Sequence, residues 1–443
     1  MRLIQTIKNI FKIEDLRARL LYTLGIILLY RFGKYVTLPG IDPSHLAKLS
    51  SQTSSGVMGL LDMFSGGAFS QASVFALGIM PYISASIVIQ LLGIVFPYYQ
   101  KLQKEGESGR RKMNQHTRYL TVLILILQAP TYLVNLHRTL TDPGTFVLSG
   151  PFFNISSVII LTAGTIFVMW LGEKITDKGI GNGISLIIMI GIVARMPANF
   201  IFEAGTRWKG AGGPIALIVE LILWFVVVLG TVMLVQGTRR VPVQYARRIV
   251  GNKQYGGVRQ YIPLKVNAAG VMPIIFAQAI MMLPTIIAGY SNSTSALAIA
   301  FSNMYGFWYN LVTGLLIVLF TYFYTAITIN PVQMAEDMKK NGGFIPGIKP
   351  GRKTVEFFDN IMSRITLPGS IFLAIIAILP SIAVKAGITA QFAQFFGGTT
   401  ILILVGVVLD TLQQIESHLL MRHYDGLMKS GRVKGRSGAV TSI

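Results

Sequence analysis

Histidines and glycine-rich loops are the features from which a catalytic, metal or nucleotide site would have to be built. The five histidines form no HExxH motif, and only His418 and His423 lie close together, on a basic tail. The glycine-rich motif at 342–347 has P-loop spacing, but Ile348 and Lys349 follow it where lysine and serine or threonine are needed. The chain has no cysteine, which excludes disulfides and thiolate metal sites. We therefore expect no catalytic residue, no metal and no cofactor.

Ionisable residues deep inside membrane helices would indicate a secondary transporter instead. Glu220 and Asp410 lie within apolar runs, while Arg31 and Lys34 lie toward one end of the first run, where their side chains can reach the membrane surface. We expect a structural or solvated role for both acids. Transport of a small solute stays open as the alternative function, and an intramembrane enzyme is a more remote one.

The elements that carry these residues are predicted to be membrane helices. The 443-residue chain is 52% hydrophobic and only 13% charged, and it contains many apolar runs of about 20 residues, which is the length needed to cross a bilayer. A polytopic, all-α membrane protein is the predicted fold class. The ten predicted spans cover residues 20–38, 74–96, 119–136, 158–171, 184–202, 214–235, 268–288, 307–329, 367–384 and 399–420.

The distribution of charge predicts the orientation of these spans. The net charge is +21, from 39 Lys and Arg against 18 Asp and Glu. Most of the basic residues fall on the side of the membrane that holds both termini, and the positive-inside rule assigns that side to the cytoplasm. No cleavable signal peptide is evident, since Glu14 and Asp15 interrupt the N-terminal region, so we expect the first span to direct insertion.

The stretch 64–92 is too apolar for a loop in water, yet Gly66 and Gly67 interrupt its beginning and Pro81 interrupts it again. A helix is left unfinished inside a membrane only where protein or a water-filled cavity receives its free backbone groups. This interruption indicates a pore. The glycine-rich stretch 179–183 lacks the preceding strand and the downstream acid of a dinucleotide-binding loop. It is therefore predicted to be a flexible turn.

Two pairs of isoleucines follow these interruptions at helical spacing. Ile83 and Ile87 come just after Pro81, and Ile184 and Ile188 come just after the glycine-rich turn. Residues four apart share one face of a helix. Considered alone, each pair is compatible with ordinary packing in a helical bundle.

Several long motifs, in order along the chain, closely resemble the SecY family of channel-forming subunits of the bacterial protein translocase. The resemblance extends over nearly the whole sequence. The motifs are FSGGAFSQASVFALGIMPYISASIVIQLL at 64–92, KEGESGRRK at 104–112, ITDKGIGNGIS at 175–185, PLKVNAAGVMPIIFA at 263–277, PGIKPG at 346–351 and GGTTILI at 397–403.

The resemblance implies ten helices in two inverted-topology halves, residues 1–202 and 203–443, around an hourglass pore. A hydrophobic ring at the waist would exclude ions by dewetting. The implied ring comprises Ile83, Ile87, Ile184, Ile188, Ile275 and Ile403.

The resemblance also implies a plug at about 59–72, a short helix that fills the outer vestibule at rest. Gly66 and Gly67 would permit a hinge, and the apolar members would contact the ring, while Asp62 would face water. The implied plug residues are Asp62, Met63, Phe64, Gly66, Gly67, Ala68 and Phe69.

A lateral gate toward lipid is implied between the second and third spans and the seventh and eighth. Amides of Gln90, Gln128 and Gln278 would bond across it, and Pro273 and Pro284 would weaken the seventh span. Ala279 stands where the family often has serine, so the polarity of the gate can differ. Polypeptide segments would then leave sideways or continue across according to their own hydrophobicity.

Movement of a polypeptide needs an energy source, which this chain lacks, so a partner must supply it. In the SecY family the basic cytoplasmic loops, here about 236–267 and 330–366, dock the ribosome or the SecA motor ATPase. The other implied partners are SecE, SecG, secretory and membrane polypeptides and membrane lipids, and the implied location is the inner membrane. Lys349 departs from the arginine usual in PGIRPG and loses its planar fork. The predicted docking residues are Arg239, Arg240, Arg247, Arg248, Arg259, Lys349, Arg352 and Arg364.

Overall fold

The structure is a computed structural model that describes residues 13–46, 59, 62–140, 144–148, 150–210, 213–245, 248–250, 253–255, 259–278, 280–281 and 303–429. In this part of the chain, seven helices are long and apolar enough to cross a membrane, or up to eight if one bent helix pair forms a single span. The molecule is therefore a multi-pass membrane protein. The count of ten spans stays a prediction, because much of the predicted seventh span lies outside the described residues.

Seven α-helices of eight residues or more are defined in the described part of the first half of the chain. They are α1 (Glu14–Gly33), α2 (Met80–Val95), α3 (Pro97–Lys104), α4 (Glu107–Thr139), α5 (Pro151–Lys178), α6 (Gly183–Val193) and α7 (Met196–Lys209). Charged residues in the first turns of α1 keep it out of the seven apolar spans. Helix α2 starts at Met80, six residues after the predicted start of the second span, because residues 65–79 form turns.

The second half begins with α8 (Gly213–Gln236) and continues through α9 (Phe307–Thr328), α10 (Pro331–Lys340), α11 (Arg352–Lys385), α12 (Ala390–Ala393) and α13 (Gly398–Lys429). Residues 272–278 form a further helical segment. The helices meet in three apolar clusters, so the core of the molecule is divided among helix junctions.

A small antiparallel sheet is added to this helical fold, formed by residues that the prediction treated as loops. Strand β1 (Thr238–Tyr245) pairs with β4 (Arg259–Lys265) in a register that joins Val241 to Ile262, and β1 also pairs with β5 (Gly343–Phe344). Strands β2 (Arg248–Val250) and β3 (Lys253–Tyr255) form a separate pair. Alternate residues of β1 are buried, and Val241 and Val243 pack with Phe358 in a fourth apolar cluster that joins the sheet to α11.

Candidate functional site

The largest apolar cluster, here called the central cluster, collects side chains from most of the helices. Its members include Met63, Phe64, Leu186, Ile187, Ile188, Ile192, Phe392, Phe396, Ile403 and Val407. Two predicted ring residues, Ile188 and Ile403, belong to it and are each 6% exposed, and Ile83 and Ile184 pack against it. Ile87 is buried on α2 and Ile275 is half-buried in the segment 272–278, and neither belongs to this cluster. Four of the six predicted ring residues are therefore brought together with the predicted plug.

Close backbone packing fixes the helix that carries Ile184 and Ile188. A Cβ atom on Gly183 would lie 1.9 Å from the carbonyl oxygen of Gly172, so only glycine allows α6 to start this close to α5. The Asn182 side chain accepts a hydrogen bond from the backbone N–H of Ser185, at 3.3 Å, and caps the helix.

The glycine-rich turn before α6 is also tied to two other helices. The N–H of Ile180 donates to Thr23 on α1, at 3.2 Å, and the N–H of Gly181 donates to Gln414 on α13, at 2.8 Å. The predicted turn is present, and two helices hold it by hydrogen bonds. These contacts set where α6 enters the central cluster.

The predicted plug is buried at all its described residues except Gln71, which is half-buried. Its described residues are helical at 59 and 62–64 and then form turns, in which Gly66 and Gly67 have φ of 67° and 87°. Such angles favour glycine, which agrees with the predicted break at this point. Met63 and Phe64 join the central cluster, whereas Phe69 packs in a second cluster with Tyr132 on α4.

Asp62 does not face water, which corrects the prediction for this residue. Its side chain is 0% exposed and forms an ion pair with Arg195, which lies between α6 and α7. The other carboxylate oxygen accepts a hydrogen bond from the N–H of Ser70, at 2.8 Å. The reason is that the turns 65–70 fold back and bring the N–H of Ser70 to one carboxylate oxygen, while the end of α6 brings Arg195 to the other.

The predicted gate contains one hydrogen bond between its two walls among the described residues. Tyr324 on α9 donates its hydroxyl to the Gln90 Oε1 on α2, at 3.4 Å. Tyr324 also lies 6.5 Å from the ring of Phe276, which belongs to the segment 272–278. Elements of the predicted second, seventh and eighth spans therefore meet at this point.

The remaining predicted gate residues are placed differently. Gln128 is exposed on α4 and Gln278 is half-buried. Pro273 lies in the first turn of the segment 272–278, where proline removes no helical hydrogen bond, so it does not weaken a helix interior as predicted. Pro284 and Ala279 lie outside the described residues.

The predicted docking residues lie on the sheet and near the start of α11. Those whose side chains the structure describes, Arg239, Arg240, Arg259, Lys349, Arg352 and Arg364, are all exposed. Arg352 is partly neutralised by Glu356, 3.4 Å away. Arg248 lies on β2, paired with Tyr255, and Arg247 lies outside the described residues.

A buried charged network accounts for Glu220, one of the two acids considered for transport. Arg207 on α7 forms ion pairs with Glu203 and with Glu220 on α8, and it donates a hydrogen bond to the carbonyl oxygen of Gly387, at 2.7 Å. The other oxygen of Glu203 accepts from the N–H of Thr389, at 3.1 Å. The network thus joins α7 and α8 to the turn before α12.

Asp410 is exposed on α13. No group of three or more His, Cys, Asp or Glu side chains that could hold a metal ion occurs within the described ranges. The two intramembrane acids that motivated the transporter alternative are therefore a bridging carboxylate and a surface one.

Residue types alone gave no signal for three functional candidates that the structure adds. Arg195 pairs with Asp62 of the predicted plug, Tyr324 bonds across the predicted gate, and Tyr132 donates to the carbonyl oxygen of Phe69 in the predicted plug, at 3.0 Å. Each acts on a partner remote in sequence. A charged residue at a helix end, or a tyrosine in the middle of an apolar run, could have been noticed in the sequence. The sequence could not have identified the residues with which they pair.

Comparison with known proteins is consistent over the whole chain. The sequence model of the SecY family matches residues 73–412. The protein translocase subunit SecY of Corynebacterium glutamicum is 45% identical over 438 residues, covering 95% of this chain and 98% of that protein. The SecY subunit of Mycobacterium tuberculosis is 42% identical over 447 residues, covering 94% and 97%.

A solved structure of a protein-conducting channel has a similar fold. It superposes with a TM-score of 0.59 at 18% sequence identity and covers 95% of each chain. The Ssh1 complex of yeast, solved bound to the 80S ribosome, gives a TM-score of 0.60 at 14% identity and covers 90% of this chain and 89% of that one. The sequence match over three quarters of its length and the curated relatives place this chain in the SecY family.

Proposed function

We propose that this chain forms the protein-conducting channel of a translocase, in keeping with the translocase-subunit name that its relatives carry. The observation that carries the proposal is the central cluster, in which isoleucines of α6 and α13 pack against a chain segment that folds back between helices. An apolar arrangement of this kind does not itself bind a polar solute or carry out a reaction. It can close a passage and reopen when the segment leaves.

The barrier would be the ring of Ile83, Ile87, Ile184, Ile188, Ile275 and Ile403. Branched apolar side chains at one depth expel water from a narrow constriction, and ions cannot follow without their hydration shell. The burial of Ile188 and Ile403 with Met63 and Phe64 supports a closed resting state. The plug at about 59–72 would fill the space on one side of the ring.

The lateral gate would lie between α2 and α9, where Tyr324 bonds to Gln90. A segment exposed at an open seam samples both the channel and lipid. Each Leu, Ile, Phe or Val near the bilayer centre favours lipid by ~0.3–0.6 kcal/mol, whereas one central charge opposes it by ~2.5–3.5 kcal/mol. The segment's own composition therefore decides between membrane release and translocation.

The two halves, 1–202 and 203–443, would move against each other to open this seam. The buried Arg207 network lies wholly within 203–443, where it joins the end of α7 to α8 and to the turn before α12, so it would hold the second half together as one body during this movement. Orientation follows the positive-inside rule, with both termini in the cytoplasm and the protein in the inner membrane.

The partners would be SecE and SecG in the membrane, and SecA or the ribosome as the source of energy. The sheet and the start of α11 present exposed basic residues on the cytoplasmic side of this arrangement. Such a surface suits the phosphates of ribosomal RNA. A ribosome-bound solved relative of the same fold supports this docking mode.

Crosslinking of a stalled secretory chain tests the proposal. The chain contains no cysteine, so single cysteines can be introduced at Ile188 and Ile403, with Ile222 as the control because it is 59% exposed on α8. A stalled chain with one cysteine should crosslink to the first two positions and not to the third. Equal crosslinking at all three positions, or at none, would contradict a passage through the central cluster.

A further inference from the structure

The plug segment 62–70 is held by polar contacts in addition to its apolar packing. Asp62 is completely buried and forms an ion pair with Arg195, whose side chain is 25% exposed. Its second oxygen receives the N–H of Ser70, at 2.8 Å. An ionised carboxylate without any exposed surface is stable only while these partners remain in place.

Backbone carbonyls of the same segment are bound from α1. Arg31 donates to the carbonyl oxygen of Gly66, at 3.2 Å, and the Tyr30 hydroxyl donates to that of Ser65, also at 3.2 Å. Close packing against α6 completes the arrangement, because a Cβ on Gly191 would lie 3.2 Å from the Cα of Gly66. The segment is therefore fixed in one position and not merely lodged in an apolar space.

Apolar packing and an ion pair respond differently when the segment leaves. Met63 and Phe64 can slide along other apolar side chains with little change in interaction energy. The pair of Asp62 and Arg195 is directional, and its attraction falls within a few ångströms once water enters. The ion pair is thus an interaction that holds the segment at one particular position.

We propose that Asp62 and Arg195 form a latch that holds the plug closed and so sets how apolar a substrate segment must be to open the channel. The inference rests on the proposed channel function. A substrate can shift the closed–open equilibrium only by its differential affinity for the two states. Weakening the latch lowers the affinity that is needed, and segments of lower hydrophobicity then open the channel.

Removing each partner of the latch has a different expected effect. Asp62→Asn keeps an oxygen for the N–H of Ser70 and removes the charge. Arg195→Gln leaves the charged carboxylate in a site with no exposure, which favours departure of the plug more strongly. The double variant should behave like Asp62→Asn alone, because the charge that Arg195→Gln strands is then absent.

Exposure of a single cysteine in place of Met63 measures the position of the plug. Met63 is 2% exposed, so its thiol should be protected in the closed state. With the full translocase complex in membranes, a membrane-impermeant maleimide added from the outer side should label Met63→Cys about tenfold faster in Arg195→Gln, and several-fold faster in Asp62→Asn. Export of a reporter whose signal segment carries fewer leucines should rise in the same order.

Glu173→Gln is the matched control. It breaks the ion pair between Arg118 on α4 and Glu173 on α5, 2.7 Å apart and away from the plug, and should leave labelling and export unchanged. If Arg195→Gln does not accumulate in membranes, Asp62→Asn and the charge-preserving Arg195→Lys test the latch instead. Labelling should then be faster in Asp62→Asn and unchanged in Arg195→Lys.

Two outcomes separate the latch from the channel function. Failure of the unsubstituted complex to translocate an ordinary secretory chain would contradict the channel function. Wild-type labelling rates in both single variants of a complex that does translocate would overturn the latch alone. A double variant that labels faster than Arg195→Gln would also overturn it, since the two residues would then act independently.

Discussion

The hydroxyl group of Tyr324 forms the hydrogen bond between α9 and α2, and the contribution of this bond to the closed seam can be measured. Tyr324→Phe removes the hydrogen bond to Gln90 and keeps the ring beside Phe276. Hydrogen bonds between membrane helices contribute ~0.6 kcal/mol on average, so the equilibrium constant that favours the closed seam over the open one should fall about threefold. A reporter segment of borderline hydrophobicity should be released into lipid more often, as measured by the glycosylation or protease pattern of its flanks.

Tyr322→Phe removes a hydroxyl from the same helix and serves as the control for Tyr324→Phe. Gln90→Ala should shift the release threshold in the same direction as Tyr324→Phe, and the two together should add little. Additive effects, or an equal shift in Tyr322→Phe, would remove Tyr324 from the gate.

Single residues were predicted well where the backbone demanded them and poorly where a distant partner mattered. The break at Gly66 and Gly67 follows from residue type alone, and both glycines have positive φ. Tyr324 and Gln90 are 234 residues apart, and no local pattern pairs them. Asp62 was expected in water because an isolated acid is most stable there, and only the fold brings Arg195 to its side.

At the scale of elements, the junction between α5 and α6 depends on the absence of a side chain at Gly183. In Gly183→Ala the new methyl group would lie 1.9 Å from the carbonyl oxygen of Gly172, so one helix must move. Overpacking of this kind costs about 1–3 kcal/mol. The purified complex should lose its folded form at a lower temperature, while Gly205→Ala, which meets nothing within 4 Å, should not lower it.

The helix junction around Arg207 should be the most sensitive to loss of charge. Arg207→Gln leaves Glu203, which has no exposed surface, and Glu220, which is buried, facing each other without a cation. Removal of one partner from a buried ion pair costs about 3–5 kcal/mol. We expect a clear loss of thermal stability, measured by gel filtration of the complex after heating.

Arg111→Gln is the control for Arg207→Gln, because it breaks a helix ion pair with Glu107 whose two side chains are 79% and 81% exposed. Exposed pairs of this kind contribute at most about 0.5 kcal/mol. If both variants lose the same stability, the network around Arg207 does not stabilise the helix junction more than a surface pair would.

Most elements could be predicted from hydropathy, and the exceptions have physical causes. Helices α8 and α9 begin and end within one residue of the predicted spans, because each is an apolar run with sharp ends. Helices α4 and α11 extend well beyond their spans into charged sequence, where hydropathy gives no signal. The sheet was missed because β1 and β4 each contain a proline, which disfavours a strand assignment, and pairing partners decide strand formation more than local propensity does.

At the scale of the whole molecule, the central cluster could not have been assembled from periodicity. Ile184 and Ile188 share one face of a helix, but periodicity does not say which other helix that face contacts. Ile403 lies in the other half of the chain. The resemblance to SecY implied that they converge, and the fold places four of the six isoleucines in or against one cluster with Met63 and Phe64 of the predicted plug. The ring role of all six isoleucines stays a prediction, which crosslinking at single-cysteine positions can examine.

The distribution of basic residues on the whole molecule leads to a prediction about docking. Arg240 lies exposed on β1, which is joined to the helical body through the apolar cluster around Phe358, so its position is fixed. Charge reversal in Arg240→Glu should weaken binding of the ribosome or SecA, and for the ribosome the slope of log affinity against log salt should fall by about one for each phosphate that Arg240 neutralises.

Arg138→Glu, at the opposite end of α4 from Glu107, is the control and should leave both the affinity and the slope unchanged. Both proteins should still insert normally, because one arginine is a small part of a net charge of +21. Unchanged binding of both partners to Arg240→Glu would remove the sheet from the docking surface.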